Sequence, residues 1–197
     1  MLVHGLRPEV GAVGAKLLYP DGRIQHAGMV VGINGGAGHP FRRQPGTVPE
    51  LRQVDLRGNR SAVTAACMLT SRRVFQEVGG FDERFPVVFN DVDLCLRMRR
   101  AGYLIVYEPD ALLHHDESAT RVRLDPHDDH TLFRKVWAQY IECGDPYYNP
   151  NFSLANEHVD ITSTSIATWP CANSPGVGEC WPRRAVCRLD AQSGRIR

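Results

Sequence analysis

The chain predicts an α/β fold, a mixed sheet flanked by helices, from three neighbouring features. Residues 61–70 are small and apolar without strict alternation, which suits a strand buried on both faces. Directly after them Val74, Phe75 and Val78 form one apolar stripe at helical spacing. A second helical segment, residues 90–102, then runs into Tyr103-Leu104-Ile105-Val106-Tyr107, rich in strand formers. Strands and helices therefore alternate, the pattern that layers helices on a sheet.

Residues 10–19 are apolar and Gly-spaced, Pro20-Asp21-Gly22 follows, and residues 23–31 return. Pro presets such a turn and Gly supplies positive φ, so the pair reads as a hairpin. The Gly-rich run 32–38 opens a polar loop expected to last to about Asn59, a length typical of binding loops. Ser71 is a good N-cap for the first helix, and Gly79-Gly80 can close it in a left-handed conformation. Asn90 is the expected N-cap of the second, with Asp93 close to a capping box and Gly102 at the end. Glu108-Pro109 should stop the strand 103–107. Asp125-Pro126 begins a further helix carrying Phe133, Val136, Trp137 and Tyr140. Beyond residue 154 no period is visible, so residues 1–154 are expected to form the domain and 155–197 a poorly ordered tail.

The 197 residues, 43% hydrophobic and 23% charged, suffice for one buried core. A net charge of +1 gives no field that would recruit nucleic acid. No apolar run approaches the roughly 18 residues of a membrane span, and residues 1–8 lack a secretory apolar stretch, so a cytoplasmic location is expected. Peripheral membrane association stays open. The six cysteines contain no C-x-x-C pair, which argues against a zinc knuckle or redox motif. Reduced thiols are expected, with Cys67 and Cys95 as small core residues.

Asp91 and Asp93 form a D-x-D triplet. Residues two apart on a helix point roughly 200° apart, so the two carboxylates cannot close on one ion. Asp93 faces Arg97 and Arg100 and reads as an N-terminal charge with an i,i+4 partner. Asp91 shares the stripe of Leu94, Cys95 and Met98, which makes it either a helix-start aspartate or a base. The pair His114-His115 should follow the strand 103–107 after a short connector, as divalent-ion ligands, phosphate contacts or plain surface residues. Arg121 could clamp a diphosphate or simply be solvated. His127-Asp128-Asp129-His130 is read as a capped first helical turn rather than a metal cluster. The loop at 32–38 lacks the Lys-Ser/Thr of a phosphate-binding loop.

Several pieces occur in a familiar order over residues 8–154: Val13-Gly14-Ala15-Lys16-Leu17-Leu18-Tyr19-Pro20-Asp21-Gly22, Gln25-His26-Ala27-Gly28, Gly80-Phe81-Asp82-Glu83, Phe89-Asn90-Asp91-Val92-Asp93, Glu117-Ser118-Ala119-Thr120-Arg121 and Asp145-Pro146-Tyr147-Tyr148-Asn149-Pro150-Asn151. The chain thereby resembles the acceptor half of family-two, GT-A type glycosyltransferases, bacterial rhamnosyltransferase-like enzymes in particular. The resemblance implies an inverting transfer from a nucleotide-diphospho-sugar to a glycan or lipid-linked acceptor, with Mg²⁺ or Mn²⁺ as cofactor. It matches Asp91 to the general base and His115, with His114 second, to the histidine near the metal and diphosphate. Asp82, Glu83, Asn90 and Arg121 are matched to substrate binding, although Asn90 departs from the glutamate often found before the base. It also implies a partial GT-A fold lacking most of the N-terminal nucleotide-binding half. The competing readings are an inactive acceptor-glycan-binding remnant and a partner that completes a nucleotide-binding chain in trans.

Overall fold

The computed structural model describes residues 1–46, 52–116 and 127–157. A short helix α1 (Leu2–Gly5) precedes β1 (Val10–Leu18), all nine residues of which are buried. The chain turns through Gly22, φ 81°, into β2 (Ile24–His26), which pairs antiparallel with the end of β1, Leu17 opposite His26. The predicted hairpin is present, but only three residues return along β1. After Gly28, φ 95°, β3 (Val30–Val31) pairs instead with β4 (Ala37–Gly38). β4, a 3-10 turn at Arg52–Asp55 and β5 (Gly58–Asn59) break up the expected long loop.

The strand expected over 61–70 is mostly not a strand. Ser61, Ala62 and Val63 are buried, but Ala62 makes only an isolated bridge to Met29 and Val63 lies on the face of β1: a side chain added at Gly14 would collide with Val63 Cβ. Thr64 then caps a 3-10 turn, Ala65–Cys67, by accepting from Ala66 N at 3.3 Å. Only β6 (Met68–Thr70), partly exposed, joins the sheet, antiparallel to residues 12–14 of β1. Helix α2 (Arg72–Glu77) follows as predicted, with Ser71 Oγ accepting from Val74 N at 3.2 Å and Gly79 and Gly80 at φ 85° and 68°.

Helix α3 (Asn90–Arg100) leads to β7 (Leu104–His114). Asn90 is not its cap; that position is Phe89, at φ 65° and without a side-chain cap bond. β7 outruns its predicted end. Pro109 lacks the N–H that a ladder needs, but the chain bulges rather than stops: Ala15 pairs with Glu108 and Lys16 already with Leu112, after which pairing continues to Leu18 and His114. β1 and β7 form the parallel centre of a mixed sheet ordered β2-β1-β7-β5, with β6 on the other end of β1.

The predicted last helix is two, α4 (His127–Val136) and α5 (Ala138–Cys143), broken at Trp137, φ −111°. Its expected start at Asp125-Pro126 lies outside the described residues. The main core joins Ala12 and Ile105 of the sheet to Val92, Leu94, Cys95, Leu96 and Met98 of α3 and to Phe133, Trp137 and Tyr140. Each large side chain buried there contributes about 1.5–3 kcal/mol.

A second device ties residues 145–147 to this core. Arg99, 1% exposed, donates to Ser61 Oγ at 2.9 Å and lies 4.7 Å over the Tyr147 ring. Buried Asp145 accepts from Val31 N at 2.8 Å and Tyr147 N at 2.9 Å, and burial pushes its carboxyl pKa up. Among the cysteines, Cys95 is a buried free thiol as expected and its pKa is pushed up to about 12 by burial; Cys67 is free but only partly buried. Cys143 is disulfide-bonded, which departs from the expectation of reduced thiols throughout.

Candidate active site

A cleft of about 490 Å³ lies where the start of α3 meets the end of β7 and the β2 hairpin. Thr64, Ala65 and Ala66 of the 3-10 turn, Phe89, Asn90 and Asp91 of α3, and His130 of α4 line it from one set of elements. Gln25, His26, His39, Arg42, His115 and Asp116 line it from the other.

Asp91 is half-buried, and backbone amides fix its carboxylate. Oδ2 accepts from Ala65 N at 3.0 Å and Oδ1 from Val92 N at 2.8 Å. The turn that replaces the predicted strand therefore supplies one of the two groups orienting this carboxylate. Each oxygen keeps a second lone pair for a ligand. The approach to α3 is pinned as well: Asp129, 2% exposed, accepts from Val87 N at 2.9 Å and Val88 N at 2.8 Å. Phe89 stacks on Phe133 with ring centroids 4.4 Å apart and meets His130 edge-on at 4.7 Å. Together these contacts hold Phe89 in a left-handed conformation that bulky residues avoid, immediately before the cleft-lining end of the helix.

Asp93 corrects the sequence reading. Its side chain is 2% exposed; Oδ2 accepts from Arg97 Nε at 2.8 Å and Oδ1 from Trp137 Nε1 at 3.0 Å. The expected i,i+4 pair exists, but its carboxylate is buried beneath Trp137, while the Arg97 side chain stays partly exposed.

His26 is fully buried at the floor of the cleft. Burial, with His39 and Arg60 nearby, holds its pKa well below the usual histidine value, so the ring is neutral. Its Nε2 accepts from Gly28 N at 3.3 Å and Thr64 N at 3.4 Å, and its Nδ1 stands 3.0 Å from His39 Nδ1. A nitrogen that accepts two amides carries no proton, so Nδ1–H donates to His39 and the proton of neutral His39 sits on Nε2.

The histidine pair is split by the sheet. β7 runs without a connector to His114, which is exposed and does not line the cleft. His115, one step on and facing the other way, does; its N–H donates to Leu18 O at 2.9 Å.

Two comparisons with known proteins bear on this arrangement. The sequence model of the family described as glycosyltransferase like family 2 matches residues 49–141, which include α3, β7 and both histidines. Over those residues the chain is similar to the family-two glycosyltransferases. It is 44% identical over 172 residues to an uncharacterized protein of Sinorhizobium fredii, covering 83% of this chain and 19% of that protein. It is 44% identical over 152 residues to an O-antigen biosynthesis protein of Myxococcus xanthus, covering 75% of this chain and 12% of the relative. An N-acetylglucosaminyl-diphospho-decaprenol L-rhamnosyltransferase of Mycobacterium tuberculosis is 35% identical over 123 residues, covering 57% of this chain and 40% of the enzyme. The chain thus spans well under half the length of each of these relatives.

In this chain the cleft brings together Asp91, Asn90 and His115 of the residues singled out on the sequence. It does not include Asp82 or Glu83. Asp82 is held by Arg84, whose hydrogen bond lowers its pKa to about 2, and Glu83 is exposed. Arg121 lies outside the described residues. Sequence reasoning gave no site role to Gln25 and His26, which stood only among the pieces of the resemblance, to His39, or to His130, which was read as part of a capped helical turn. Two polar residues, Gln25 and His26, in the otherwise apolar return strand of a hairpin were the available signal for the first pair. His130 was visible in the 127–130 run, but its use depends on Phe89, which only the fold supplies.

Proposed function

We propose that this cleft carries the acceptor side of an inverting glycosyl transfer from a nucleotide-diphospho-sugar to a glycan or lipid-linked acceptor, with Asp91 as general base. The observation that carries the reading is the Asp91 carboxylate, oriented by two backbone amides at the edge of a cleft it shares with His115. In the proposed step Asp91 takes the proton of the acceptor hydroxyl. The freed oxygen bonds to the anomeric carbon while the bond to the diphosphate breaks on the opposite face, and the nucleoside diphosphate leaves with the electron pair.

Among the described residues no three His, Cys, Asp or Glu side chains form a metal cluster. The donor set nevertheless fits a divalent ion that keeps water and phosphate oxygens among its ligands: His115 and Asp116 line the same cleft. Mg²⁺ or Mn²⁺ held there would neutralise charge on the departing diphosphate.

The relatives' printed names support bacterial polysaccharide assembly as the setting and L-rhamnose as the first sugar to try. No helix among the described residues is long and apolar enough to cross a membrane. We assign the reaction to the cytoplasmic side and the glycosyltransferase domain to residues 1–154.

The test is Asp91→Asn, assayed for transfer and for nucleoside diphosphate binding. Loss of a general base should reduce transfer by about 10²–10⁴-fold and leave nucleotide affinity unchanged. Retained turnover in that variant would remove Asp91 from the base role.

A further inference from the structure

We infer that Gln25 is a positioning residue that sets the tautomer of His115, keeping the proton on Nδ1 and leaving Nε2 as the lone-pair nitrogen of a ring that lines the cleft.

Gln25 lies in β2, only 6% exposed, and a buried amide must satisfy both its ends. Here both ends go to one residue 90 positions away. Gln25 Nε2 donates to the His115 carbonyl oxygen at 3.1 Å, and Gln25 Oε1 stands 2.7 Å from His115 Nδ1. The two bonds fix each other. A backbone carbonyl only accepts, so the amide nitrogen must face it, and the amide oxygen is thereby turned to the ring. Reversing the amide would set two oxygens against each other. Because Oε1 only accepts, Nδ1 carries the proton, and in the neutral ring Nε2 carries none.

The His115 backbone is held from the other side as well, through N–H donation to Leu18 O at 2.9 Å. Its N–H, its C=O and its Nδ1 are thus all committed, and Nε2 is the one remaining polar position. This is the complement of His39, whose neutral ring is protonated at Nε2 by the orientation of His26. His115 and His39, two of the four histidines that line the cleft, are therefore of opposite tautomer. A histidine that binds a cation normally gives its other N–H to an oxygen that fixes the ring and raises its basicity. Gln25 does this with an uncharged amide. The tautomer rests on geometry alone, whereas its use as a cation ligand rests on the glycosyltransferase reading above.

The experiment is long-range ¹H–¹⁵N correlation of the imidazole rings in the full chain, at a pH where they are neutral, with His115 assigned by its loss in His115→Asn. Titration with Mn²⁺ alone accompanies it. In the wild type His115 should show a protonated Nδ1 and a bare Nε2. Gln25→Leu should shift the ring toward the Nε2-protonated form and weaken Mn²⁺ binding on the order of 10–100-fold. Gln25→Glu loses the donor to the His115 carbonyl but keeps an acceptor oxygen for Nδ1, so Nδ1 should stay protonated, a readout that survives even if the Leu variant fails to fold. A wild-type His115 protonated at Nε2, or a tautomer unmoved in a folded Gln25→Leu variant, overturns the inference. A tautomer that moves as stated without any change in Mn²⁺ binding upholds Gln25 and removes the cation role proposed for His115.

Discussion

Asp91 and Asp93 stand two residues apart in the first turn of α3, in unlike surroundings. Asp91 sits at the cleft with its oxygens on the amides of Ala65 and Val92; Asp93 is buried between Arg97 and the Trp137 indole. Helical spacing predicts the reverse, with Asp91 on the core stripe and Asp93 on the solvent side. That expectation assumes a helix with one covered face. α3 is covered almost all round: Val92 through Leu96, Met98 and Arg99 are all buried, because the Trp137 junction of α4 and α5 closes the side that would otherwise meet water. A charge on such a helix is placed by its partners, and only the residue at the open N-terminal edge remains available to a ligand.

The contrast can be broken most severely at Asp93. Asp93→Ala leaves the Arg97 guanidinium facing an emptied buried site and should cost about 3–5 kcal/mol of stability, whereas Asp91→Ala should cost less than about 1 kcal/mol; paired urea denaturation curves check both. Asp129→Ala removes the acceptor of two amides ahead of Phe89 and should cost about 2–3 kcal/mol, with selective loss of hydrogen-exchange protection at Val87 and Val88. A smaller effect should separate the histidines: His115→Ala weakens Mn²⁺-dependent nucleotide binding about tenfold, roughly 1.4 kcal/mol, and His114→Ala leaves it unchanged. Equal effects would undo the distinction that strand alternation draws between them.

The smallest expected effect lies at Asp82, outside the cleft. Its carboxyl pKa is lowered to about 2 by Arg84, so this ion pair adds stability above the ordinary aspartate value of 3.8 and loses it as the pH falls toward 2. Being near the surface it contributes at most about 1 kcal/mol. Asp82→Asn should therefore be slightly less stable than wild type at neutral pH, and the gap should close between about pH 4 and pH 2.

Much of this was legible in the sequence where a local signal decides the outcome. Ser71, Gly79-Gly80 and Gly102 mark helix ends through their own backbone and hydroxyl chemistry, and those ends are where the spacing puts them. Illegible were features decided by distant contacts. Residues 61–63 look like a strand, but Val63 lies on Gly14, whose missing side chain makes room for it. Pro109 looks like a strand end, but the long partner β1 lets β7 bulge and resume. Asp91 and His115 were identifiable as candidates, while Gln25, His26 and His39 acquire meaning only when β2 is laid beside the end of β7.

The account turns on whether the cleft that joins Asp91 to His115 receives a nucleoside diphosphate with a divalent ion. Calorimetric titration of the chain with UDP, dTDP and GDP, each with and without Mn²⁺, tests this most directly. Binding that requires Mn²⁺, weakens in His115→Ala and persists in Asp91→Asn is the predicted result. A folded chain that binds none of the three, or binds equally well without the ion, contradicts it.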